Sequence, residues 1–267
     1  MAFQGMRSLR ISLLPFCASV LLSAQPTIDI LQRVLMIDYK SERGTTFSID
    51  IDGREYWVTA RHILTGAKSK PFGNYAGKTI DVRLLNPGGD GEQWVPETFT
   101  VLQPVEDVDV AVLIPPSPIL PGALPSPPAS SAGLTFGGEC EFLGFAYGGG
   151  WRAKLDGKKF WLPYIKHCGV SGQDSDTHLW ILDGINNVGF SGGPVVFGTG
   201  IALKIAAVIS GYYLEPTEVI RGDANATKGT PPDKVNLNSG FILAYDISHA
   251  VDLIKKNPTG PLRPAKK

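Results

Sequence analysis

The chain has 267 residues, of which 43% are hydrophobic and 19% are charged, so it is long and apolar enough to bury a core. Its 25 basic residues balance 25 acidic residues, whereas a nucleic-acid-binding protein normally has a basic surplus, so we expect no nucleic-acid partner. The 31 glycines and 21 prolines favour a turn-rich, all-β fold over a helical bundle. No apolar run reaches the length of about 18 residues that a membrane helix needs, so we expect no stable membrane span.

The first 24 residues have the pattern of a secretory signal. Arg7 and Arg10 precede an uncharged, mainly apolar stretch over residues 11–24, in which Ser23 and Ala24 supply small residues for a cleavage point. The alternative is an ordinary buried N-terminal helix. We expect residues 1–24 to be a removed signal peptide and the mature protein to be secreted or periplasmic.

The next part of the sequence predicts a unit of short strands over residues 27–114. Apolar and polar residues alternate over 47–51, and Asp52-Gly53 predicts a hairpin turn before a return strand over 55–59. Further strands are predicted at residues 79–85, 97–102 and 108–114, the last of them apolar on both faces.

A proline-rich stretch over residues 115–130 then interrupts the pattern. It favours an extended linker between two units, or else a long surface loop within one domain. Residues 131–256 predict a second β unit that closes with a helix from Ser248, its candidate cap, to about Lys256, and residues 257–267 follow as a tail. The strands predicted in this unit are residues 139–147, 160–168, 178–183, 194–198, 205–210 and 240–245.

The cysteines and histidines bear on disulfides and metals. Once residues 1–24 are removed, only Cys140 and Cys168 remain, which predicts one disulfide in an exported chain. An antiparallel hairpin centred on residue 154 would align the two strands that carry them. The 4 histidines show no metal-ligand spacing, so we expect no metal and no cofactor.

The residues that carry chemistry begin with the string GFSGGP at residues 189–194. Glycines on both sides leave Ser191 open to approach and let backbone N–H groups turn toward a site. A serine hydroxyl is a weak nucleophile that needs a base, usually a histidine oriented by a carboxylate. His62 ends the string VTARH, and Asp109 begins the string DVAVL, so both lie at the ends of predicted strands.

These strings, together with GTTF at residues 44–47, stand in the order His, Asp, Ser and resemble the trypsin-like (chymotrypsin-fold) serine proteases. The resemblance is to the bacterial, secreted type that lacks most of the animal disulfides, and it covers about residues 40–256. It implies an all-β fold of two six-stranded antiparallel β-barrels with a C-terminal helix, joined at the proline-rich stretch. It also implies polypeptide substrates, cleaved through an acyl-enzyme without a cofactor.

The resemblance assigns a role to each residue of the site. His62 is expected to act as general base and then general acid, Asp109 to orient its imidazole, and Ser191 to attack the scissile carbonyl. The backbone N–H groups of Gly189 and Ser191 are expected to form the oxyanion hole. Ser210 is expected to support Asp109 and the substrate backbone.

Two positions depart from other members of the resembled family. Ile185 stands where the base of the substrate pocket is expected, and an isoleucine there cannot neutralise a cation, so we expect no preference for Lys or Arg. The alternative is that a shifted loop brings the nearby Asp183 into the pocket. Phe190 stands where many animal members have an aspartate that receives a newly cut N-terminal amine. We therefore expect a site that forms constitutively or with substrate, with Phe190 packed into the second barrel.

Three alternatives stay open at this stage. Asp107 lies on the same strand face as Asp109 and competes with it as the acid. The string GFSGG also matches the nucleophile elbow of α/β-hydrolases, which would use Ser191, Asp223 and His249, although the residues after it favour a strand over the required helix. The protease shell could also be a catalytically latent binding module. The sequence leaves the substrate's identity and the oligomeric state open.

Overall fold

The computed structural model describes residues 26–66, 75–86, 88–102, 107–120, 122–155, 157–219 and 233–264. The predicted signal peptide, residues 1–24, lies outside this part of the chain. Within it, the chain forms two closed antiparallel barrels of six strands each and a C-terminal helix. The predicted all-β fold class is therefore confirmed.

The first barrel has the spatial strand order β1-β2-β3-β6-β5-β4. Its strands are β1 (Val34–Tyr39), β2 (Glu42–Ile51), β3 (Arg54–Thr59), β4 (Thr79–Leu85), β5 (Trp94–Val101) and β6 (Ala111–Ile114). A short helix, α1 (Ile28–Leu31), precedes the barrel, and α2 (Arg61–Thr65) follows β3. The hairpin of β2 and β3 turns at Asp52 and Gly53, whose φ angles of 49° and 71° are the left-handed values that a two-residue turn needs.

The second barrel follows the proline-rich stretch and has the spatial order β10-β11-β14-β13-β12-β7, with β8 and β9 forming a separate hairpin outside it. The strands are β7 (Glu139–Gly144), β8 (Trp151–Leu155), β9 (Lys158–Leu162), β10 (Tyr164–Asp174), β11 (Leu179–Asp183), β12 (Pro194–Phe197), β13 (Lys204–Val219) and β14 (Asp233–Asp246). Short 3-10 turns occupy Ala146–Gly148 and Gly200–Ala202.

Two segments that the sequence predicts as single, longer strands flank or overlap the β8–β9 hairpin, and neither forms one continuous strand. The strand predicted over 139–147 ends at Gly144, because the chain then turns at Tyr147, whose φ is 52°. The strand predicted over 160–168 is interrupted at Pro163, between β9 and β10, where the missing N–H cannot join a ladder.

The hairpin of β13 and β14 is longer than predicted. The predicted strands, residues 205–210 and 240–245, correspond to the parts of β13 and β14 that belong to the barrel. From the pair Leu214–Asn238 outward, the two strands continue to pair with each other as far as Val219 and Asp233. Most side chains in this outer part are exposed, so its sequence lacks the alternation of a strand that faces a core.

The C-terminal helix, α3 (Ser248–Lys256), begins at the predicted residue, but Ser248 does not cap it. The Ser248 backbone N–H instead donates to Asp246 Oδ1 over 2.8 Å, so the acid two residues earlier satisfies the first turn. Among the helices of the described residues, none is long and apolar enough to cross a membrane.

Residues 257–264, predicted as a tail, pack against the first barrel. The Arg263 backbone N–H donates to the Gly53 carbonyl over 2.9 Å, at the β2–β3 turn. The Arg263 guanidinium donates to Asp50 Oδ2 over 2.6 Å and to the Ala123 carbonyl over 2.6 Å. This segment therefore fastens the proline-rich stretch to the barrel.

Arg263 completes a cluster of buried charges. Arg33, which is 0% exposed, donates to Asp50 Oδ2 over 2.8 Å. Glu55 is also fully buried, and its Oε2 lies 3.9 Å from Arg263 Nε. Burial lowers the pKa of the Arg33 guanidinium, although the neighbouring Asp50 opposes this effect.

Cys140 and Cys168 are directly paired across β7 and β10, so the predicted alignment of their strands is confirmed. Both are free thiols in the structure, and the disulfide between them stays a prediction. Both lie in the apolar core of the second barrel. The hydrogen bond with Cys140, together with burial, raises the pKa of the Cys168 thiol.

Candidate active site

Strand pairing in the first barrel brings His62 and Asp109 together. His62 lies in α2, directly after β3, and Asp109 lies just before β6, which pairs with β3. His62 Nδ1 is 2.8 Å from Asp109 Oδ2, and the His62 backbone N–H donates to Asp109 Oδ1 over 2.9 Å. Because each carboxylate oxygen binds the same residue, the pair fixes the orientation of the imidazole ring.

Asp109 is shielded from solvent and remains ionised. Its side chain is 4% exposed, and the Ser210 hydroxyl donates to its Oδ2 over 2.6 Å. Burial alone would raise the pKa of the Asp109 carboxyl, but hydrogen bonds from His62 and Ser210 outweigh burial and hold the pKa below its usual range. A carboxylate that faces an imidazole N–H stabilises the protonated form of that imidazole.

Asp107, the competing acid, has a different setting. It is exposed, its φ is 69°, and its backbone carbonyl accepts a hydrogen bond from the Tyr245 hydroxyl over 3.2 Å. The acid that the structure pairs with His62 is therefore Asp109.

Ser191 lies between β11 and β12 of the second barrel, and its turn docks on the first barrel. The Ser191 carbonyl accepts a hydrogen bond of 2.8 Å from the Thr45 backbone N–H on β2. The Ser191 hydroxyl donates to the Ser210 carbonyl over 3.4 Å. Since the Ser210 hydroxyl binds Asp109, Ser210 contacts both the serine and the acid.

The turn around Ser191 requires glycine at two positions. Gly189 and Gly192 have φ angles of 103° and 84°, which other residues rarely adopt. A Cβ atom on Gly189 would lie 2.1 Å from the Phe145 carbonyl oxygen, and one on Gly192 would lie 2.1 Å from the Thr45 carbonyl oxygen. Gly189 thus allows a close approach within the second barrel, and Gly192 allows one between the two barrels.

Two backbone N–H groups of this turn, those of Gly189 and Ser191, donate to no group among the described residues. The preceding carbonyls set their orientation, because the N–H of a trans peptide points away from its C=O. The Val188 carbonyl accepts a backbone hydrogen bond of 2.7 Å, and the Phe190 carbonyl accepts one of 2.8 Å from Gly193. Both carbonyls point into the protein, which leaves both amides available to an anion.

The whole loop over residues 185–189 is held by its carbonyl groups, each of which accepts a hydrogen bond. Lys166 Nζ donates to the Ile185 carbonyl, and Asn238 Nδ2 donates to the Asn186 carbonyl. The Phe190 N–H donates to the Asn187 carbonyl, and the Tyr147 N–H donates to the Val188 carbonyl. The Thr45 hydroxyl donates to the Gly189 carbonyl. Sequence analysis assigned no role to Thr45, Tyr147, Lys166 or Asn238. Their contacts with the loop join segments far apart in the chain, which periodicity and short motifs do not reveal.

The residue expected at the base of the substrate pocket has a different position. The Ile185 side chain is 59% exposed, so it faces solvent. The next residue, Asn186, is 1% exposed and donates through Nδ2 to the Gly211 carbonyl over 3.2 Å, directly beside Ser210. Neither residue supplies a negative charge.

Phe190 is packed inside the second barrel, as expected. Its side chain is fully buried and makes an edge-to-face contact with Phe142 at a centroid distance of 4.9 Å. The aromatic pair anchors the residue that directly precedes Ser191.

The α/β-hydrolase alternative is wrong, because the fold is all-β and a strand, β12, follows the GFSGG string. His249 lies on α3, where its Nε2 is 3.0 Å from the Thr177 carbonyl, and Asp223 lies outside the described residues. Among the residues that the structure describes, no group of three or more His, Cys, Asp or Glu side chains could hold a metal ion.

Comparisons with protein-family models and with curated proteins find no match. Solved structures do resemble the chain. The HtrA-type protease AlgW, solved with a tripeptide, matches with a TM-score of 0.53 and 14% identity, over 85% of this chain and 60% of AlgW. A thermostable serine protease from an extremophilic microorganism matches with a TM-score of 0.51 and 14% identity, over 87% of this chain and 100% of that chain. Deg5 matches with a TM-score of 0.50 and 16% identity, over 84% of this chain and 88% of that chain.

This chain thus spans 60% of the length of AlgW but nearly the whole of the other two proteins. At such low identity the likeness is one of fold, and it agrees with the two closed barrels. The chain has the chymotrypsin-like fold of trypsin-like serine proteases.

Proposed function

We propose that this protein is a serine endopeptidase that hydrolyses polypeptides through an acyl-enzyme. The observation that carries the proposal is the His62–Asp109 pair of the first barrel, joined through Ser210 to a serine whose own turn holds two amides that donate to no described residue. The fold supports the proposal, because the structural neighbours are serine proteases.

His62 is the general base in this mechanism. Asp109 holds Nδ1, which leaves Nε2 to take the proton from the Ser191 hydroxyl as Oγ attacks the scissile carbonyl. In the structure that hydroxyl donates to the Ser210 carbonyl, so it rotates about χ1 toward Nε2 when substrate binds. The ionised Asp109 stabilises the imidazolium that results, and the imidazolium then protonates the leaving amine.

The Gly189 and Ser191 amides stabilise the tetrahedral intermediate. The carbonyl oxygen gains negative charge when Oγ attacks, and the two N–H groups are already turned outward to receive it. Each such donor contributes about 3–4 kcal/mol of transition-state stabilisation in comparable sites. A water molecule, activated by the same imidazole, then hydrolyses the acyl-enzyme.

A catalytically latent binding module is the second candidate function. It is favoured by the resting hydrogen bond of the Ser191 hydroxyl, which points to the Ser210 carbonyl. Labelling by a fluorophosphonate separates the two functions, because the reagent requires a serine activated by its histidine.

The experiment uses the chain without residues 1–24, a Ser191→Ala variant, and a Ser239→Ala variant as a control at a half-buried serine whose hydroxyl donates to the Tyr213 carbonyl over 3.0 Å. We expect labelling and peptide cleavage in the wild type and in Ser239→Ala, and neither in Ser191→Ala. His62→Ala and Asp109→Asn should each reduce kcat/KM by about 10⁴-fold or more, non-additively, while the fold stays intact. A folded wild type that neither labels nor cleaves a peptide library would leave only the binding module.

We also propose that residues 1–24 direct export, as their charge and hydropathy pattern suggests. Expression of the full chain in a bacterium, followed by N-terminal sequencing of the periplasmic and extracellular fractions, tests this proposal. A chain that keeps residues 1–24 and stays in the cytosol would contradict it.

A further inference from the structure

Lys166 reaches from β10 to the loop over residues 185–189, which ends at the Gly189 amide of the proposed oxyanion hole. Its ammonium donates to the Ile185 carbonyl and, over 2.9 Å, to Asn187 Oδ1. The same Nζ atom lies 5.8 Å from the ring centroid of Phe190 and 5.8 Å from that of Phe142. One cation therefore contacts the loop at two points and also lies over the ring of Phe190, which directly precedes Ser191.

Asn187 extends this contact across the loop. Its Oδ1 accepts from Lys166, and its Nδ2 donates to the Tyr147 hydroxyl over 3.2 Å. The Tyr147 backbone N–H in turn donates to the Val188 carbonyl over 2.7 Å. This last bond sets the peptide plane between Val188 and Gly189, and so the direction of the Gly189 amide.

The position of Lys166 is not explained by an ion pair. Among the described residues, no carboxylate lies within ion-pair distance of its ammonium, which carbonyl and amide oxygens and two aromatic faces hold instead. Burial lowers the pKa of this lysine, so its placement opposes the charge that it carries. A cation held by such contacts stabilises the groups that it contacts. For Lys166, these groups belong to residues 185–190.

We infer that Lys166 is a positioning residue for the oxyanion hole, and that it orders the loop of Gly189 from within the chain, without a newly cut N-terminus or a bound activator. The inference rests on the proposed peptidase function. It also commits to an oxyanion-hole loop that is organised before substrate arrives, since the Lys166–Asn187–Tyr147 contacts join only groups of the chain itself.

The variant Lys166→Met removes the charge and both hydrogen bonds but keeps an apolar side chain over the two rings. Removal of one oxyanion donor costs about 10²–10³ in kcat, so a partly disordered donor should cost about 10- to 100-fold in kcat with little change in KM. Lys166→Arg keeps the charge and can donate to both oxygens, so it should recover most of the loss.

Lys204→Met is the matched control. Lys204 Nζ also donates to a backbone carbonyl, that of Ala132, over 2.7 Å, and it lies 5.8 Å from the ring of Phe197. Its contacts lie outside the loop over residues 185–190. The control therefore removes the same chemistry from elsewhere in the second barrel, and it should leave kcat unchanged.

Amide hydrogen exchange over residues 184–191 supplies a readout that does not depend on activity, measured in the Ser191→Ala background. We expect faster exchange there with Lys166→Met and no change with Lys204→Met. An inactive wild type would defeat the proposed function, while the exchange measurement would still test the contact.

A second variant keeps the inference testable if Lys166→Met fails to fold. Asn187→Ala breaks the same contact from the loop side, so it should reduce kcat by a similar factor, and the double variant should be no worse than either single variant. The inference is overturned if the foldable variants keep kcat within twofold of Lys204→Met, or if loop exchange does not change.

Discussion

The Thr45 hydroxyl donates a hydrogen bond of 2.7 Å to the Gly189 carbonyl, although 144 residues separate the two in sequence. Thr45 is fully buried on β2 of the first barrel, whereas Gly189 lies in the loop of the second barrel. Thr45 also binds the Ser191 carbonyl through its backbone N–H. One residue of the first barrel therefore binds the carbonyl groups of both residues whose amides form the proposed oxyanion hole.

Thr45→Val should impair catalysis as well as stability, because it keeps the shape of the side chain but removes the bond to Gly189. We expect a loss of about 1–2 kcal/mol in the free energy of unfolding and a fall of about 10-fold in kcat. Thr46→Val is the control, since Thr46 is equally buried and binds the Val58 carbonyl over 2.9 Å inside the first barrel. Equal kcat values for the two variants in peptidase assays would contradict this role of Thr45.

Cleavage after Lys or Arg should be rare, because neither Ile185 nor Asn186 offers a negative charge to a basic side chain. Mass-spectrometric profiling of a peptide digest measures this preference. Asn186→Asp should raise cleavage after Lys and Arg, since Asn186 is buried beside the Ser210 strand, whereas Ile185→Asp should raise it less, since Ile185 faces solvent. A wild type that cuts mainly after basic residues would show the expectation to be wrong.

Stability should fall in acid, in part through Asp38. Burial alone would raise the pKa of this carboxyl, but hydrogen bonds from Arg43 and Arg83 hold it below its usual range. A lowered pKa stabilises the fold above the unfolded-state value of about 3.9, and this stabilisation is lost as pH falls through the folded-state pKa.

Urea unfolding of Asp38→Asn at several pH values tests this account. At pH 7 we expect a loss of about 1–2 kcal/mol, toward the low end for a charged hydrogen bond because Arg43 and Arg83 are more than half exposed. The difference from the wild type should shrink below about pH 4. Asp81→Asn, at an exposed carboxylate, is the control. A difference that stays constant down to pH 2 would refute the linkage.

The thiols of Cys140 and Cys168 should react slowly in the native protein. Both are buried, and the raised pKa of Cys168 leaves little thiolate to attack an alkylating reagent. Mass spectrometry of the chain without residues 1–24, alkylated before and after unfolding in the absence of reductant, counts the free thiols. Two labels that appear only after unfolding would agree with the structure. No label, even after unfolding, would support the disulfide that the sequence predicts.

Local sequence patterns were sufficient for the parts of the fold and site that depend on neighbouring residues. The alternation over 47–51 and the Asp52-Gly53 turn predict a hairpin that the structure contains. Both patterns depend only on residues that are close together in the sequence. His62 and Asp109 stand at the ends of strands that such patterns locate, so their proximity follows from the pairing of β3 with β6.

The parts that could not be predicted depend on contacts between distant segments. Lys166 is one basic residue on a strand, and nothing within its own strand indicates that it contacts a loop 19 to 21 residues later. The Ser248 cap was a sound local expectation, but Asp246, held by the Trp180 indole over 2.8 Å, takes that place through tertiary packing. The outer part of the β13–β14 hairpin has no core to impose a pattern.

The docking of Arg263 beside Asp50 gives the first barrel a distinctive order of assembly. β6, its last strand, ends at Ile114, so the ribosome must add about 150 residues before Arg263 exists, which takes roughly 10 s or more. Until then Glu55 Oε2, which accepts no hydrogen bond among the described residues, lacks the guanidinium that lies 3.9 Å away, and a buried carboxylate that is only partly paired opposes closure of the barrel. A nascent chain that is slow to close stays unfolded for longer during synthesis, which is compatible with the export that we propose for it.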